Sequence, residues 1–407
     1  MLKDTFERID VMKIAVFSDI HISLLSDAPS EKFEKGVEFL REKAGNLDAV
    51  FICGDVTDYG KKEEIEKLKS SFDKVLNGTK LYFAMGNHDL GPHYYKGHEF
   101  IKDNMKFYKE ILGDYMENPI IKDDFDQTMS ELGNLRWEFK GIGIITVCPL
   151  NYLTDKTVHL DDDGIKFLKR SLEEFKDRPC FILIHSPVLD TVFPYAREFW
   201  SCDNIFDIIN EYNNVIVLSG HIHHPLQDER SLYLGNFSAI SCPSSLYVLV
   251  FGGFIETAKT YFFPDAWEFS QGMLIETDEY NIKCSKYDLL KKEEITSPWI
   301  FKIGQRDFRK IPSSAPEFTS EMVKIKDGNI EFHTHDFFHH YDIKINDKIT
   351  KVCSGFYNCP DGKSKPFVSV PLCDFISESG TYDAEITAFD SYDNKSSKVF
   401  LNFTYNI

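Results

Sequence analysis

Hydrophobic positions in the first half of the chain fall into two alternating patterns. Short runs are almost continuously apolar and are rich in β-branched and aromatic side chains. Such runs are typical of strands that are buried on both faces, so we expect them to form a buried sheet. The runs with this character are residues 13–17, 49–53, 80–84, 141–147, 180–184 and 214–219.

Between these runs, apolar residues recur at the spacing of one helix face. The stripes cover residues 33–40, 65–75 and 165–175. Ser30 is a candidate N-cap of the first helix, Gly78 follows the second where it is expected to end, and the acidic run 161–163 suits the N-terminus of the third. Strands that alternate with helices predict βαβ units, a largely parallel sheet and therefore an α/β fold.

The pattern changes beyond residue 225, where strand-like runs follow one another without helices between them. Runs at 231–240, 271–279 and 281–290 predict hairpins, which would complete the core with a second sheet. The remaining alternating runs predict a small all-β sandwich of the fibronectin type III kind. The predicted organisation is a first domain at 1–309, a linker containing Pro and Ser at 310–318 and the β-sandwich domain at 319–407.

Composition and charge narrow the classes of partner. The 407 residues include 46 Lys and Arg against 65 Asp and Glu, a formal net charge of −19. Because an acidic chain repels a nucleic-acid backbone, extended DNA or RNA is not an expected partner. No apolar run approaches the roughly 20 residues that cross a bilayer, and no secretory signal is recognisable. With nine scattered cysteines, we expect a cytoplasmic protein with reduced thiols and no membrane contact.

The candidate chemistry lies where the apolar runs end. Five of the six runs lead into side chains that metal ions bind. Because ligands of open α/β sheets gather at the carboxyl ends of the strands, we expect these side chains to meet in one site. Imidazole, carboxylate and amide donors without thiolates suit Mn, Fe or Zn and argue against a structural Cys-zinc site. The clusters contain Asp19 and His21; Asp55 and Asp58; Asn87, His88 and Asp89; His185; and His221 and His223.

Local spacing supports a common site. A D-x-H or H-x-H pair in an extended segment points both side chains to the same face. Gly54, Gly86 and Gly220 each stand directly before a candidate ligand, and glycine lets the backbone turn tightly and approach an ion closely.

The order D-x-H, G-D-x-x-D, G-N-H-D, H and G-H-x-H, spread over residues 19–223, resembles the signature of the calcineurin-like metallophosphoesterase superfamily. The resemblance implies a β-sandwich core flanked by helices and a centre of two metal ions, with Mn or Fe favoured over Zn, whose bridging hydroxide attacks phosphorus. It also implies a role for each residue: one ion on Asp19, His21 and His223, the other on Asn87, His185 and His221, Asp55 bridging the two, His88 as the catalytic acid and Asp58 as the residue that orients it.

The residues themselves agree with the last two roles. His88 directly follows Asn87 and would be redundant as a further ligand. Held near the leaving oxygen, its imidazole can donate a proton, and a carboxylate such as Asp58 would stabilise its charged form. We expect Asp89 to accept structural hydrogen bonds and to take no part in the reaction.

Two loops, at 90–100 and 187–200, are candidates for substrate contact. Their aromatic and cationic side chains suit a phosphate that carries an apolar or base-like group. The competing interpretation is that both are surface loops packed by their own aromatic residues. The candidate substrate-binding residues are His93 and Lys96 in the first loop and Tyr195 and Arg197 in the second.

We therefore expect hydrolysis of a phosphate monoester or diester carried by a small molecule. One alternative is a binding or scaffold protein that kept the fold but lost catalysis; such a protein should lack metal ligands, and none of the seven is missing. A nuclease of the same superfamily is disfavoured by the acidic balance and by the absence of a basic stripe. The C-terminal domain is expected to cover the site, drive oligomerisation or bind another macromolecule.

Overall fold

The computed structural model describes residues 11–90, 98–149, 158–192, 201–251, 260–261, 266–278, 280–304, 317–333, 340–353, 367–390 and 394–406. The chain divides into two compact units. The larger comprises Met1–Val248 and Trp267–Phe308, and the smaller comprises Leu249–Ala266 and Arg309–Ile407. Most of the predicted linker at 310–318 lies outside the described residues, and the predicted domain bounds stay predictions.

The predicted core strands are present, and hairpins follow them in the chain. In chain order, and including the short pair β10 and β11 of the smaller unit, the strands are β1 (Met12–Phe17), β2 (Ala49–Cys53), β3 (Lys80–Ala84), β4 (Leu135–Phe139), β5 (Ile142–Thr146), β6 (Cys180–Ile184), β7 (Val215–Ser219), β8 (Leu232–Leu234), β9 (Ser238–Ser241), β10 (Val250–Phe251), β11 (Thr260–Tyr261), β12 (Gln271–Asp278), β13 (Asn281–Asp288), β14 (Glu293–Glu294) and β15 (Trp299–Lys302).

The larger unit contains two mixed sheets, whereas the strand pattern of the first half of the chain predicted a largely parallel sheet. Their orders are β14-β13-β12-β1-β2-β3, with β15 also paired to β13, and β4-β5-β6-β7-β9-β8. Strands β1 to β3 are parallel in the first sheet, and β5, β6, β7 and β9 are parallel in the second. The predicted hairpins β12–β13 and β8–β9 extend these sheets and do not form one of their own.

The apolar strands are covered on both faces because the two sheets pack on each other and helices cover the outside. Phe51 on β2 contacts Phe181 on β6, with ring centroids 5.7 Å apart. Phe17 pairs with Ile52, the neighbour of Phe51, so Phe17 points to the opposite face of the sheet. There it contacts Phe33 of the first helix at 5.1 Å. The core is therefore a β-sandwich flanked by helices.

The three predicted helices are present. The helices are α1 (Ala28–Ala44), α2 (Lys62–Val75), α3 (His98–Leu112), α4 (Asp124–Glu131), α5 (Asp162–Glu174) and α6 (Phe206–Ile209). Helix α2 ends at Val75, and Gly78 follows with a φ of 81°. Helix α5 is capped by Asp161, whose carboxylate accepts a 2.8 Å hydrogen bond from the Gly164 amide. None of the described helices has both the length and the apolar character needed to span a membrane.

The start of helix α1 differs from the prediction. Ser30 lies inside the helix, and the N-cap is Asp27. Pro29 occupies the first turn, where its missing N–H costs nothing because the first amides of a helix have no intrahelical acceptor. The helix therefore begins before Ser30, whose side chain is buried.

The smaller unit is all-β in its described residues. Its remaining strands are β16 (Val323–Lys326), β17 (Asn329–His333), β18 (His340–Ile345), β19 (Lys348–Cys353), β20 (Phe367–Pro371), β21 (Gly380–Phe389) and β22 (Val399–Tyr405). They form sheets of order β16-β17-β20 and β19-β18-β21-β22. Phe332 of the first sheet stacks on Tyr341 of the second with centroids 4.9 Å apart, inside a separate hydrophobic core. The fibronectin type III assignment stays a prediction.

Candidate metal centre

The loops that follow β1, β2, β3, β6 and β7 converge, and they bring all seven candidate metal ligands together. Backbone hydrogen bonds tie these loops to one another. The Asp19 amide donates to the Gly54 carbonyl at 3.0 Å, and the His21 amide donates to the Asp55 carbonyl at 2.9 Å. The Gly220 amide donates to the His185 carbonyl at 2.8 Å, within the second sheet. The ligands therefore sit on backbone held in place from several strands.

The ligand-bearing segments are not extended, contrary to the reasoning from their spacing. Five ligands have left-handed backbone: φ is 51° at Asp19, 52° at His21, 49° at Asp55, 74° at His221 and 50° at His223. This conformation is unfavourable for residues that carry a Cβ, and it persists where the surroundings over-determine it. The side chains thus converge because each loop turns sharply at its ligand, and no face of an extended segment aligns them.

Three of the ligands form a first group. Ligand atoms of Asp19, His21 and His223 all lie within 4.8 Å of one another, and all three residues are buried. His223 Nε2 is 3.2 Å from Asp19 Oδ1 and 3.4 Å from His21 Nε2. One carboxylate and two imidazoles directed at a common point match the donors that Mn, Fe and Zn accept.

A second group lies beside the first. Ligand atoms of Asp55, His185 and His221 also lie within 4.8 Å of one another. His185 Nε2 is 3.0 Å from Asp55 Oδ2, 3.1 Å from Asn87 Oδ1 and 3.1 Å from His221 Nδ1. The amide oxygen of Asn87 therefore points to the same place as the carboxylate and the imidazoles.

Asp55 lies between the two groups. Its Oδ2 is 3.0 Å from His185 Nε2 of the second group and 3.9 Å from His21 Nε2 of the first. Its other oxygen, Oδ1, accepts a 2.8 Å hydrogen bond from the backbone amide of His88. A buried carboxylate in this position fits a residue shared by two cations.

Hydrogen bonds at the far side of two imidazoles fix their orientation. His185 Nδ1 is 2.8 Å from the Cys53 carbonyl, and His223 Nδ1 is 3.2 Å from the Tyr247 carbonyl. A carbonyl accepts only from a protonated nitrogen, so in the neutral form of each ring the lone pair is on Nε2 and is directed into the site. Both histidines are thereby prepared as ligands.

Two glycines are required by the close approach of the carboxylates. A Cβ on Gly86 would lie 2.1 Å from Asp55 Oδ1, and a Cβ on Gly220 would lie 2.8 Å from Asp19 Oδ2 and 1.8 Å from Ser18 Oγ. These distances are far below van der Waals contact. The glycines that precede ligands therefore make room for the two buried carboxylates.

The electrostatics of the site favour ionised carboxylates. Burial alone would raise the pKa of Asp55, but His185 outweighs it and holds that pKa well below its usual range. Burial opposes charge on His185 too, yet Asp55 raises the pKa of that histidine to about 9, so a metal ion that binds there must displace a proton from the ring. Burial and the neighbouring His185 lower the pKa of His221 to about 3, so His221 is a neutral imidazole that can donate its lone pair.

His88 and Asp58 lie together at the edge of the two groups. His88 Nδ1 is 2.9 Å from the Asp58 carbonyl and 3.6 Å from Asp58 Oδ1, and the His88 side chain is 41% exposed. Burial alone would lower the pKa of His88, but the hydrogen bond that His88 donates to Asp58 and the charge of Asp55 outweigh it and raise the pKa to about 10. Asp58 Oδ1 is also 3.6 Å from His21 Nδ1.

Asp89 is a structural acceptor, as expected. Its buried carboxylate accepts hydrogen bonds from the amides of Val56, Thr57 and Gly86 at 3.2, 2.8 and 2.8 Å. The hydroxyls of Thr57 and Tyr108 donate to the same carboxylate, each at 2.9 Å. Asp89 therefore holds the loop after β2 against the loop after β3, and with it the spacing between Asp55 and Asn87.

Three side chains beyond the metal ligands were not singled out from the sequence. The Tyr247 ring stacks on the His223 ring with centroids 4.2 Å apart, although residues 246–248 belong to an apolar run that is typical of core. Asp228 is buried and pairs with Arg230, whose Nε lies 2.9 Å from Asp228 Oδ1. Asp228 follows the G-H-x-H segment by five residues. Neither the spacing nor the hydrophobicity of this stretch indicates that Asp228 pairs with Arg230.

The four substrate-contact candidates cannot be placed. His93, Lys96, Tyr195 and Arg197 all lie outside the described residues, at 91–97 and 193–200. Their roles stay predictions.

Comparison with known proteins yields one family match and several distant relatives. A sequence model described as calcineurin-like phosphoesterase matches residues 12–225, which include every candidate metal ligand. A 3′,5′-cyclic-nucleotide phosphodiesterase of Nostoc sp. is 26% identical over 248 residues, covering 58% of this chain and 79% of that protein. A UPF0046 protein of Caenorhabditis elegans is 22% identical over 196 residues, covering 43% of this chain and 56% of that protein.

Among solved structures, a purple acid phosphatase from yellow lupin (Lupinus luteus) seeds superposes with a TM-score of 0.47 and 11% identity, covering 74% of this chain and 54% of that one. A predicted phosphoesterase from Streptococcus pneumoniae superposes with a TM-score of 0.31 and 16% identity, covering 72% and 98%. The chain thus spans about half the length of the nematode and lupin proteins. Similarity at this structural level carries no argument about function.

Proposed function

This chain belongs to the calcineurin-like phosphoesterase family, and we propose that it hydrolyses a small phosphate ester at a pair of metal ions. Membership makes it a metal-dependent phosphoesterase by class. The pairing of the ions, the roles of individual residues and the choice of substrate are the proposal. The observation that carries it is the position of Asp55, a buried carboxylate within reach of both histidine groups.

Each ion is assigned its own set of ligands. Two nearby cations would lower the pKa of a water between them and stabilise negative charge on the oxygens around phosphorus. The proposed ligands are Asp19, His21 and His223 for one ion, Asn87, His185 and His221 for the other, and Asp55 for both.

His88 is the proposed general acid, and Asp58 is its orienting partner. The Asp58 carboxylate beside His88 raises the pKa of the imidazole, which favours the protonated form that a general acid needs. Its contact with Asp58 fixes the ring through Nδ1, which leaves Nε2–H free to face a leaving oxygen. The proton then leaves on the departing alcohol, His88 becomes neutral, and solvent reprotonates it to restore the charged imidazole next to Asp58.

The substrate is proposed to be a phosphodiester of a small molecule, with a monoester as the second candidate. The Nostoc relative is named a cyclic-nucleotide phosphodiesterase, which favours a diester. The net charge of −19 disfavours an extended nucleic acid. The free thiols of the described cysteines support a reducing location such as the cytoplasm. A fibronectin type III-like smaller unit that binds a partner or drives oligomerisation completes the proposal.

The test is hydrolysis of bis(p-nitrophenyl) phosphate and p-nitrophenyl phosphate by Mn²⁺-loaded protein. We expect Asp55→Asn to abolish activity and to lose metal, since both ions share that carboxylate. His88→Ala should keep two metal equivalents and slow turnover roughly 10²–10⁴-fold, the usual contribution of a general acid. Asp327→Asn, a change of the same type at an exposed site, is the matched control. An Asp55→Asn protein that turns over as fast as wild type would reject the proposed mechanism. A wild-type protein that holds two ions but hydrolyses neither substrate would favour a binding protein without catalytic activity.

A further inference from the structure

An aromatic pair lies against the metal centre and has no role in the chemistry proposed above. Tyr247 stacks on the candidate ligand His223 with ring planes 26° apart. Trp267 packs on Tyr247 in turn, with centroids 4.4 Å apart. Although it belongs to this stack, the Trp267 side chain is 64% exposed. A large aromatic ring that is neither buried nor needed for the core calls for an explanation at this position.

Hydrogen bonds from a lysine hold the backbone around both aromatic residues in place. The ammonium of Lys32 on α1 donates to the backbone carbonyls of Leu246 at 2.6 Å, of Phe269 at 3.3 Å and of Trp267. Because Lys32 binds the carbonyls on both sides of the stack, it joins the segment of Tyr247 to the segment of Trp267. Its three N–H donors are all used for this purpose.

A second link fixes the same two segments. Ser270 Oγ donates to the Ser245 carbonyl at 2.7 Å, and the Gln271 amide donates to the Ser244 carbonyl at 3.0 Å. The two segments are therefore in register beside each other before any ligand binds. A rigid aromatic surface loses little conformational freedom on binding, which favours a subsite over an adaptable surface patch.

We propose that Trp267 and Tyr247 form a stacking platform that binds the nucleobase of a nucleotide whose phosphate lies at the metal centre. The inference rests on the proposed function, because it names the substrate class of the same site. Trp267 is two ring contacts away from His223, a separation that a ribose between phosphate and base can bridge. Nucleobases stack on aromatic side chains irrespective of their hydrogen-bonding edges. The platform therefore selects for a planar base and does not distinguish one nucleobase from another.

An aromatic platform also suits the charge of this protein. The chain has a formal net charge of −19, so the protein as a whole does not attract an anionic substrate at long range. Stacking contributes affinity without charge and without competing with the carboxylates for the metal ions. Phosphate esters without a planar group would lack this contribution and bind through the phosphate alone.

The experiment compares binding of AMP and of ribose 5-phosphate, which differ only in the base, to the Mn²⁺-loaded full chain at 4 °C by titration calorimetry. We expect wild-type protein to bind AMP about tenfold more tightly than ribose 5-phosphate, in line with one stacked base. Trp267→Ala should remove that preference, and Trp267→Phe should keep most of it. Ile300→Ala, which truncates a side chain of the larger unit that is 74% exposed, is the matched control and should keep the preference in full.

The outcomes separate the platform from the reaction. Equal affinity of wild-type protein for the two ligands, no measurable binding of AMP, or an undiminished preference in Trp267→Ala would overturn the platform. Because Trp267 is exposed, its removal should leave the thermal unfolding midpoint close to that of wild type. A base preference that disappears in Trp267→Ala, together with no hydrolysis of any phosphate ester, would support the platform and reject the proposed function.

Discussion

Replacing Gly86 with alanine tests how closely the protein must approach its shared carboxylate. Gly86 does not have a left-handed backbone, so alanine meets no conformational penalty there. The single obstacle is space: the new Cβ would lie 2.1 Å from Asp55 Oδ1 and 2.4 Å from the Asp55 amide nitrogen. Contact distances of about 3 Å or more require Asp55 to retreat by roughly 1 Å, and misplacement by 1 Å in a catalytic site can cost about 10²-fold in rate.

We therefore expect Gly86→Ala to lower kcat/KM for bis(p-nitrophenyl) phosphate about 100-fold and to weaken binding of at least one Mn²⁺ ion. Overpacking also lowers the free energy of unfolding by about 1–3 kcal/mol, so activity is measured well below the unfolding midpoint of both proteins. Metal content by mass spectrometry and steady-state kinetics are recorded on the same preparations. Both readouts should change together.

Gly113→Ala is the matched control for this experiment. Gly113 is exposed, and a Cβ there would meet no atom within 4 Å. The control should bind two Mn²⁺ ions and turn over like wild type. If Gly86→Ala also kept two ions and wild-type kcat/KM, the position of Asp55 would not be critical, and its assignment as the shared ligand would be refuted.

Three further predictions concern stability. Asp89→Asn leaves several of the donors that surround this carboxylate unpaired, so the free energy of unfolding measured by urea denaturation should fall by about 2 kcal/mol or more. An unchanged urea midpoint would contradict this prediction. Arg136→Met removes the closest cation from the buried carboxylate of Asp126 and should lower the free energy of unfolding by about 3 kcal/mol. Arg178→Met, which removes an exposed ion pair, should lower it by at most about 1 kcal/mol. Burial alone would raise the pKa of Asp228, but its arginine partner holds it well below the unfolded value. Its contribution is therefore complete at neutral pH and is lost as pH falls below about 4, so the difference in thermal midpoint between wild type and Asp228→Asn should shrink on acidification.

The convergence of the ligands was predictable because the local sequence shows both where a buried strand runs and where it ends. Each strand is apolar on both faces, and the first polar residues after it mark its end. In parallel strands those ends lie on one edge, so Asp19, Asp55 and Asn87 had to be neighbours once β1, β2 and β3 were parallel. His185 and His221 follow from the same argument in the second sheet.

The division into two sheets was not predictable by the same means. A strand covered by a helix and a strand covered by another sheet have the same continuous apolar pattern, so nothing in the run that contains Phe51 distinguishes Phe181 from a helix residue as its partner. The start of α1 was misplaced for a local reason. Ser30 is a good N-cap residue type, but the helix already begins at Ala28 with Pro29 in its first turn, and the Asp27 side chain makes no capping hydrogen bond.

The backbone at the ligands and the aromatic pair escaped prediction because they depend on tertiary structure. Left-handed φ at Asp19 and His223 is unfavourable locally and exists only because neighbouring loops enforce it. Tyr247 lies in an apolar run, and Trp267 is twenty residues further along the chain, so their contact is visible only after folding. Sequence patterns indicate the conformation that a segment prefers by itself. The left-handed ligand residues and the aromatic contact instead depend on packing against segments that are distant in the chain.

The central claim is that two cations share Asp55, and anomalous diffraction from crystals soaked in Mn²⁺ tests it most directly. We predict two anomalous peaks about 3.5–4 Å apart, one next to Asp19 and His223, the other next to His185 and His221, with Asp55 in contact with both. A single peak, or two peaks of which one lies away from Asp55, would contradict the account.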